Sequence, residues 1–367
     1  MKKLPIMTKQ EKISNFDPSQ PGLASDSLFG LPFTSDESEI VIVPVPWEAT
    51  VSYGSGASEG PNAILNASFQ VDLHHQNYPE LWKQGIFHDL SADTLQFQTA
   101  SVTCKKLAQP IIHALESGEN IAENVDLTKD LKTVNQLCAQ MVAGVKNITL
   151  DWLSKGKKVA LLGGDHSTPL GYYQALAAHN DSFGILHIDA HMDLRIAYEG
   201  FEYSHASIMY NALKIPEITQ IVQVGIRDFC EEEVQVARQN NVVIFTDKDL
   251  KSNEFKGQNW DAQCNEIIAH LPKKVTVSFD IDGLQAWYCP NTGTPVPGGM
   301  TYEKACYLLE KLAESDREII GFDLVEVAPG DDEWDGNVGA RLLFEMCGML
   351  AKNNGLEVGE KIVFRKY

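Results

Sequence analysis

The sequence predicts a single α/β domain built on a mostly parallel β-sheet, and three observations predict it. From residue 158 onward, short apolar runs alternate with stretches of helical periodicity, the pattern of βαβ units. Polar clusters follow the ends of four of those runs, where an open parallel sheet places its ligands. No internal repeat or linker divides the 367 residues, a length that suits one large domain with a sizeable core.

Taken in order, residues 1–38 are rich in Ser, Pro, Asp and Gly and show little periodicity. They read as an N-terminal arm suited to wrapping a neighbouring subunit, with one domain at 39–367. The β-branched run 40–45, punctuated by Pro44 and Pro46, reads as a first buried strand. Gly54, Gly56 and Gly60-Pro61 then mark loops before an apolar-periodic segment at 62–68. The polar stretch 91–130 is helix-compatible and looks like an insertion, whereas 131–153 carries apolar residues at helical spacing. Beyond it, strands are expected at 159–162, 184–188, 218–224, 242–245, 275–279 and 319–325. Helical patterns lie near 168–178, 230–239, 259–270, 301–314 and 339–351.

Composition removes whole classes of function. Thirty Lys+Arg against 50 Asp+Glu give a net charge of −20, the opposite of the basic stripe a nucleic-acid binder carries. No apolar run approaches the roughly 18 residues of a bilayer span, and no basic amphipathic helix is present to dock on a membrane. The N-terminus has no apolar core of a signal peptide. Seven cysteines without a C-x-x-C pair form neither a disulfide framework nor a thiolate metal site. A cytoplasmic enzyme with reduced thiols is the expectation.

The chemistry lies in the four strand-end clusters: Gly163-Gly164-Asp165-His166-Ser167, Asp189-Ala190-His191-Met192-Asp193, Asp280-Ile281-Asp282-Gly283 and Asp323-Leu324-Val325-Glu326. On extended backbone, residues two apart project to one face, so Asp189, His191 and Asp193 can converge, as can Asp280 and Asp282. With His166 they make two imidazoles and four carboxylates, a set that suits two divalent cations sharing bridging carboxylates. Mixed nitrogen and oxygen donors favour Mn²⁺, with Fe²⁺, Co²⁺, Ni²⁺ and Zn²⁺ as alternatives. Any one cluster has an ordinary explanation as a capped turn. Four of them after four strands of one sheet do not.

These motifs resemble the ureohydrolase (arginase–agmatinase) family: GGDHS at 163–167, DAHMD at 189–193 and SFDID at 278–282, with GTPVPGG at 293–299, DLVEVAP at 323–329 and a weaker SYGSGASEGPNAI at 52–64. The resemblance spans roughly residues 39–352. It implies an arginase-like three-layer α/β/α sandwich and a binuclear manganese centre held by His166, Asp189, His191, Asp193, Asp280 and Asp282. In that scheme the metals lower the pKa of a bridging water, and hydroxide attacks the guanidinium carbon to release urea and an amine. Glu326 matches the carboxylate that holds the guanidinium, and His205, in Tyr203-Ser204-His205, matches a loop histidine that shuttles a proton to the departing amine. A homo-oligomer, trimer or hexamer, is implied as well.

Within the family, 193–209 is similar to the agmatinase branch, and the Asn-x-His-Gly loop of arginases is absent, so a small cationic guanidino substrate like agmatine is expected. Hydrolysis of free guanidine is the main alternative, ahead of arginine, other guanidino acids and formiminoglutamate. A catalytically silent oligomeric scaffold is the non-enzyme alternative. The chain departs from the family where Asp-Pro gives way to Gly283-Leu284-Gln285-Ala286-Trp287-Tyr288, losing a carboxylate that organises the loop. Trp287-Tyr288 can shorten the pocket, stack on a cation, or simply pack in the loop. Asp165 is expected to orient a ligand, His187 to be a satisfied core histidine and Cys289 to be a spectator. His74-His75 have no supporting context, and Arg195 is the one cation placed to meet a substrate carboxylate.

Overall fold

The computed structural model describes residues 7–20 and 27–363. Its centre is a sheet of β1 (Ile40–Val45), β2 (Ile86–His88), β3 (Lys158–Gly163), β4 (Phe183–Ile188), β5 (Ile218–Ile226), β6 (Val243–Thr246), β7 (Lys274–Asp280) and β8 (Glu318–Val325). The strands run in the order β2-β1-β3-β8-β7-β4-β5-β6. Every neighbouring pair is parallel. Among the described residues there are eleven α-helices: α1 (Lys9–Asn15), α2 (Gly60–Ser68), α3 (Ala92–Glu116), α4 (Val125–Ser154), α5 (Leu170–His179), α6 (Ile208–Ala212), α7 (Glu231–Gln239), α8 (Asp247–Phe255), α9 (Trp260–Ala269), α10 (Tyr302–Glu314) and α11 (Trp334–Asn353).

Side chains alternate across each strand, so every strand feeds two cores. Ile40, Ile42, Val275, Val277 and Phe279 pack with α2 and α8–α11 on one face. Val41, Val43, Val159, Leu161 and Ile185 pack with α3–α7 on the other. The result is the expected three-layer α/β/α sandwich. No described helix is long and apolar enough to cross a membrane.

Several boundaries differ from the sequence expectation. The polar stretch 91–130 is mostly helix, forming α3, a 3₁₀ turn and the first residues of α4. That second helix begins at Val125 because the Asn124 side chain accepts from the N–H groups of Asp126 and Leu127. In the N-terminal arm, residues 1–6 and 21–26 lie outside the described residues. Leu28, Phe29, Leu31 and Phe33 of that arm are buried in the core of their own chain.

The order of the four central strands positions the site. β3, β8, β7 and β4 are neighbours, so their carboxyl ends, which carry the four polar clusters, open onto one crevice.

Candidate metal centre

The chain leaves β3 through Gly163-Gly164, and only glycine fits the second position: a Cβ there would fall 1.9 Å from the Trp47 carbonyl oxygen. This close approach brings His166 over the ends of β4 and β7. Its Nδ1 lies 3.0 Å from Asp189 Oδ2, 3.1 Å from Asp193 Oδ2 and 3.1 Å from Asp280 Oδ2. Nδ1 nevertheless makes no hydrogen bond, although the ring is buried. His191 Nδ1 lies 3.1 Å from Asp282 Oδ2 and 3.4 Å from Asp189 Oδ1. Two donor groups compact enough to hold a metal ion follow, one of His166, His187, Asp189 and Asp193 and one of Asp189, His191 and Asp282. Asp189 belongs to both.

His187 joins the first group by distance alone. Its Nε2 meets Asp189 Oδ2 at 2.8 Å and its Nδ1 accepts from Gln223 Nε2 at 2.9 Å, so both ring nitrogens are engaged. This is a satisfied core histidine that braces Asp189. His166 is held differently. Ser278 Oγ donates to Asp323 Oδ1 (2.8 Å) and is left to accept from His166 Nε2 (2.9 Å), while Tyr173 donates to Asp323 Oδ2 (2.9 Å). Assigned from this network, the ring proton sits on Nε2 and the Nδ1 lone pair faces the carboxylates, the tautomer a metal ligand needs.

The electrostatics call for cations. Burial pushes Asp280 well up, and Asp282 and Asp189 add to it; burial and Asp189 likewise raise Asp193. Asp189 is held low despite its burial, by His187, His166 and His191. Burial works against the His191 cation too, yet Asp282 and Asp189 hold that imidazole up at about 12. Four carboxylates this close cannot all ionise on the strength of two imidazoles. The donor set of imidazole and carboxylate without thiolate therefore fits divalent metal.

Backbone strain marks the same place. Asp193 (φ 53) and Glu326 (φ 63) adopt the left-handed region although neither is glycine. Glu326 Oε1 accepts from the His166 N–H at 2.8 Å. Burial and Asp165 hold its carboxyl well above the usual range. His166, His191, Asp193, Asp280, His205 and Glu326 all line one cavity of about 190 Å³. His205 sits in a 3₁₀ turn with its Nδ1 unpartnered, and burial, with His191 and His166, pushes its pKa down to about 4. It is neutral at pH 7.

Of the outer wall, only Arg195 was legible in the sequence. The wall carries Arg195, Tyr198, Asp228, Phe229 and Glu233. Arg195 stacks over the Tyr198 ring at 4.8 Å and faces the buried Glu233 at 3.8 Å. Asp228 is exposed to the cavity and pairs with no cation among the described residues. Ser52 adds the rim loop, which the buried Glu48 holds by accepting from Ser55 Oγ (2.9 Å) and the Gly56 N–H (2.6 Å) while pairing with Lys105 of α3.

The remaining expectations resolve simply. Asp165 accepts from the N–H groups of Ala49 (3.2 Å) and Ser167 (3.0 Å), so it fixes the turn that presents His166. Cys289 is buried, and its thiol is pushed well up by that burial and by Asp335. His75 Nε2 lies 2.8 Å from the buried Glu345 carboxyl group, and neither residue lines the cavity. Trp287 and Tyr288 pack against each other with centroids 6.1 Å apart, and neither lines the cavity.

Residues 38–348 match the model of the Arginase family. This chain belongs to the arginase family. An N(1)-aminopropylagmatine ureohydrolase of Synechocystis sp. is 30% identical over 295 residues, covering 80% of this chain and 82% of its own. An agmatinase of Neisseria meningitidis serogroup A is 30% identical over 322 residues, covering 86% and 88%. The fold is shared with the agmatine ureohydrolase of Thermoplasma volcanium at a TM-score of 0.67 and 23% identity over 94% of this chain and 98% of that one. It is shared also with proclavaminate amidino hydrolase from Streptomyces clavuligerus, at a TM-score of 0.68 and 20% identity over 91% and 100%. The protein is thus an arginase-family ureohydrolase carrying a His/Asp cluster able to hold metal.

Proposed function

We propose that this ureohydrolase cleaves the guanidino C–N bond of a guanidino amine, agmatine or a longer-tailed analogue, to give urea and the free amine. His166, Asp189, His191, Asp193, Asp280 and Asp282 would hold two divalent ions, with Mn²⁺ expected. Bound there, the ions would supply Lewis acidity and a hydroxide nucleophile at neutral pH.

The chain's own groups account for the rest. Among the described residues Glu326 Oε2 has no hydrogen-bond partner, and an ionised carboxylate facing the cavity meets the planar guanidinium by charge-assisted hydrogen bonds. Burial keeps that carboxylate costly until a cation arrives, which favours guanidinium over neutral ligands. His205, neutral and unpartnered at Nδ1, is able to accept a proton and return it to the leaving amine nitrogen. Water and substrate then balance as urea plus the protonated amine.

The observation that carries the amine tail is the outer wall. Its single cation, Arg195, already faces Glu233, whereas Asp228 is free to meet a distal ammonium. Relatives named agmatinase and aminopropylagmatine ureohydrolase support the same reading. Assembly as a homo-oligomeric trimer or hexamer belongs to this proposal and is checked by light scattering.

A urea-release panel after loading with Mn²⁺ or Ni²⁺ tests it, using agmatine, aminopropylagmatine, arginine, guanidinobutyrate, formiminoglutamate and guanidine. The amines are expected to turn over fastest, and Asp228→Asn to raise KM for agmatine about tenfold, the scale of one charge-assisted contact. No urea from any of them with metal bound would refute the proposal. Free guanidine as the best substrate would move the assignment to that compound.

A further inference from the structure

The loop at 285–294 carries no Asp or Glu of its own, yet hydrogen bonds from elsewhere organise it. Asp335, in the first turn of α11, is 0% exposed. Its Oδ1 accepts from the Asn291 N–H at 3.1 Å and its Oδ2 from Asn291 Nδ2 at 2.9 Å. Asp335 also helps to hold the buried Cys289 thiol in its protonated form. One residue earlier, Trp334 Nε1 donates to the Trp287 carbonyl at 2.9 Å. The start of α11 therefore grips this loop at three points, with Asp335 at the helix end where an anion is favoured.

What the loop does next gives the grip a purpose. Thr292 Oγ1 donates to the Glu326 carbonyl at 2.8 Å. Glu326 has the strained φ of 63, and its other backbone tie among the described residues is its N–H to the Gly164 carbonyl at 2.8 Å. Gly293 accepts from the Gly54 N–H at 3.1 Å, closing the seam with the rim loop, and Thr294 lines the cavity. A fully buried carboxyl group whose hydrogen bonds go to one asparagine is costly unless the arrangement it enforces matters.

We propose that Asp335 is a positioning residue: through Asn291 and Thr292 it holds Glu326 in the left-handed conformation that aims its carboxylate at the guanidinium. This rests on the reading of Glu326 given above. None of the residues assigned to metal touches Asp335, so its removal separates substrate grip from metal binding. The acceptor that this loop lacks among its own side chains thus comes from α11.

The test compares Asp335→Ala, Asp335→Asn and Thr292→Val in the full-length, Mn²⁺-loaded protein. Asp335→Ala is expected to raise KM for agmatine on the order of tenfold or more, the effect of misplacing a contact group by a fraction of an ångström, with kcat changed far less. Two metals per chain should be retained. Asp335→Asn keeps an acceptor for the Asn291 N–H and should recover most of the loss. Thr292→Val should reproduce the KM effect, and the double variant with Asp335→Ala should be no worse than either single, because both act through one contact. Hydrogen exchange at the Asn291 and Glu326 amides should quicken in Asp335→Ala. A lowered thermal midpoint with unchanged KM, or additive effects in the double variant, overturns the proposal. If the wild type releases no urea from any guanidino compound, the functional reading fails, and the exchange measurement still decides whether Asp335 holds Glu326.

Discussion

Replacing Ser278 by alanine should cost metal affinity at one site and spare the other. Ser278 accepts from His166 Nε2 (2.9 Å) and donates to Asp323 Oδ1 (2.8 Å), and all three side chains are buried. Alanine removes the acceptor, and in a dry interior no water replaces it. The ring proton is then free to move to Nδ1, where Asp189, Asp193 and Asp280 oxygens wait at 3.0–3.1 Å. A proton there occupies the lone pair that the metal needs. Losing such an outer partner costs about 10–100-fold in metal affinity. The burial of this relay places Ser278→Ala toward the upper end, about 2.7 kcal/mol for 100-fold.

The His191 and Asp282 donors do not touch this relay, since their contacts run to Asp189 and to the Ala190 N–H. Calorimetric Mn²⁺ titration of stripped protein should therefore become biphasic, with one affinity near wild type and one about 100-fold weaker. Turnover at saturating metal should return toward the wild-type value. Two unchanged affinities in Ser278→Ala would show that the relay does not set the His166 tautomer.

Two further outcomes follow from the same geometry. His205→Asn should lower kcat for agmatine by about 10²–10⁴, the range of a lost general acid–base, while metal content by elemental analysis stays at the wild-type value; unchanged kcat removes His205 from proton transfer. Burial raises Asp323 from 3.8 to about 6, so its proton stabilises the fold below pH 3.8 and that contribution is lost as pH rises through about 6. Across that window stripped wild type should lose roughly 3 kcal/mol relative to Asp323→Asn in urea melts, and an equal difference at pH 4 and pH 7 would refute the assignment.

The metal cluster was legible in the sequence because its donors are local. Asp189, His191 and Asp193, and Asp280 with Asp282, sit at period two directly after apolar runs, and strand-end placement did the rest. The groups that tune it were not, because their partners are distant in sequence and carry no motif. Asp335 meets Asn291 44 residues away, and Lys105 meets Glu48 across 57. Asp228 and Glu233 reach the cavity only through the order in which the strands assemble. β2 is three residues long, too short for periodicity to register. The start of α11 was hidden for a different reason. The expected helix at 339–351 begins five residues late, and Gly336 and Gly339 have low helix propensity, but a Cβ at either would fall 2.8 Å from α2, at Ala63 O and the Ile64 side chain respectively. They are there to let two helices close together.

That packing bears on how the site is stabilised. Residues in the left-handed region, such as Asp193 and Glu326, cost on the order of 1–3 kcal/mol each, and burying four neighbouring carboxylates costs more. The two hydrophobic cores lie on either side of the sheet and exclude every one of these groups. The fold is therefore held by the cores, and the strand ends are held in a conformation the polypeptide alone disfavours. A cation that binds only the folded arrangement contributes its binding energy there by mass action, about 2.7 kcal/mol at 100-fold excess over its dissociation constant. His187 and Asp165 brace the cluster, while Ser278 and Asp335 set the directions of His166 and Glu326, which keeps the donors spaced for an ion instead of relaxing onto each other. The same rigidity makes Glu326 a fixed carboxylate, able to recognise a guanidinium without first being ordered by it.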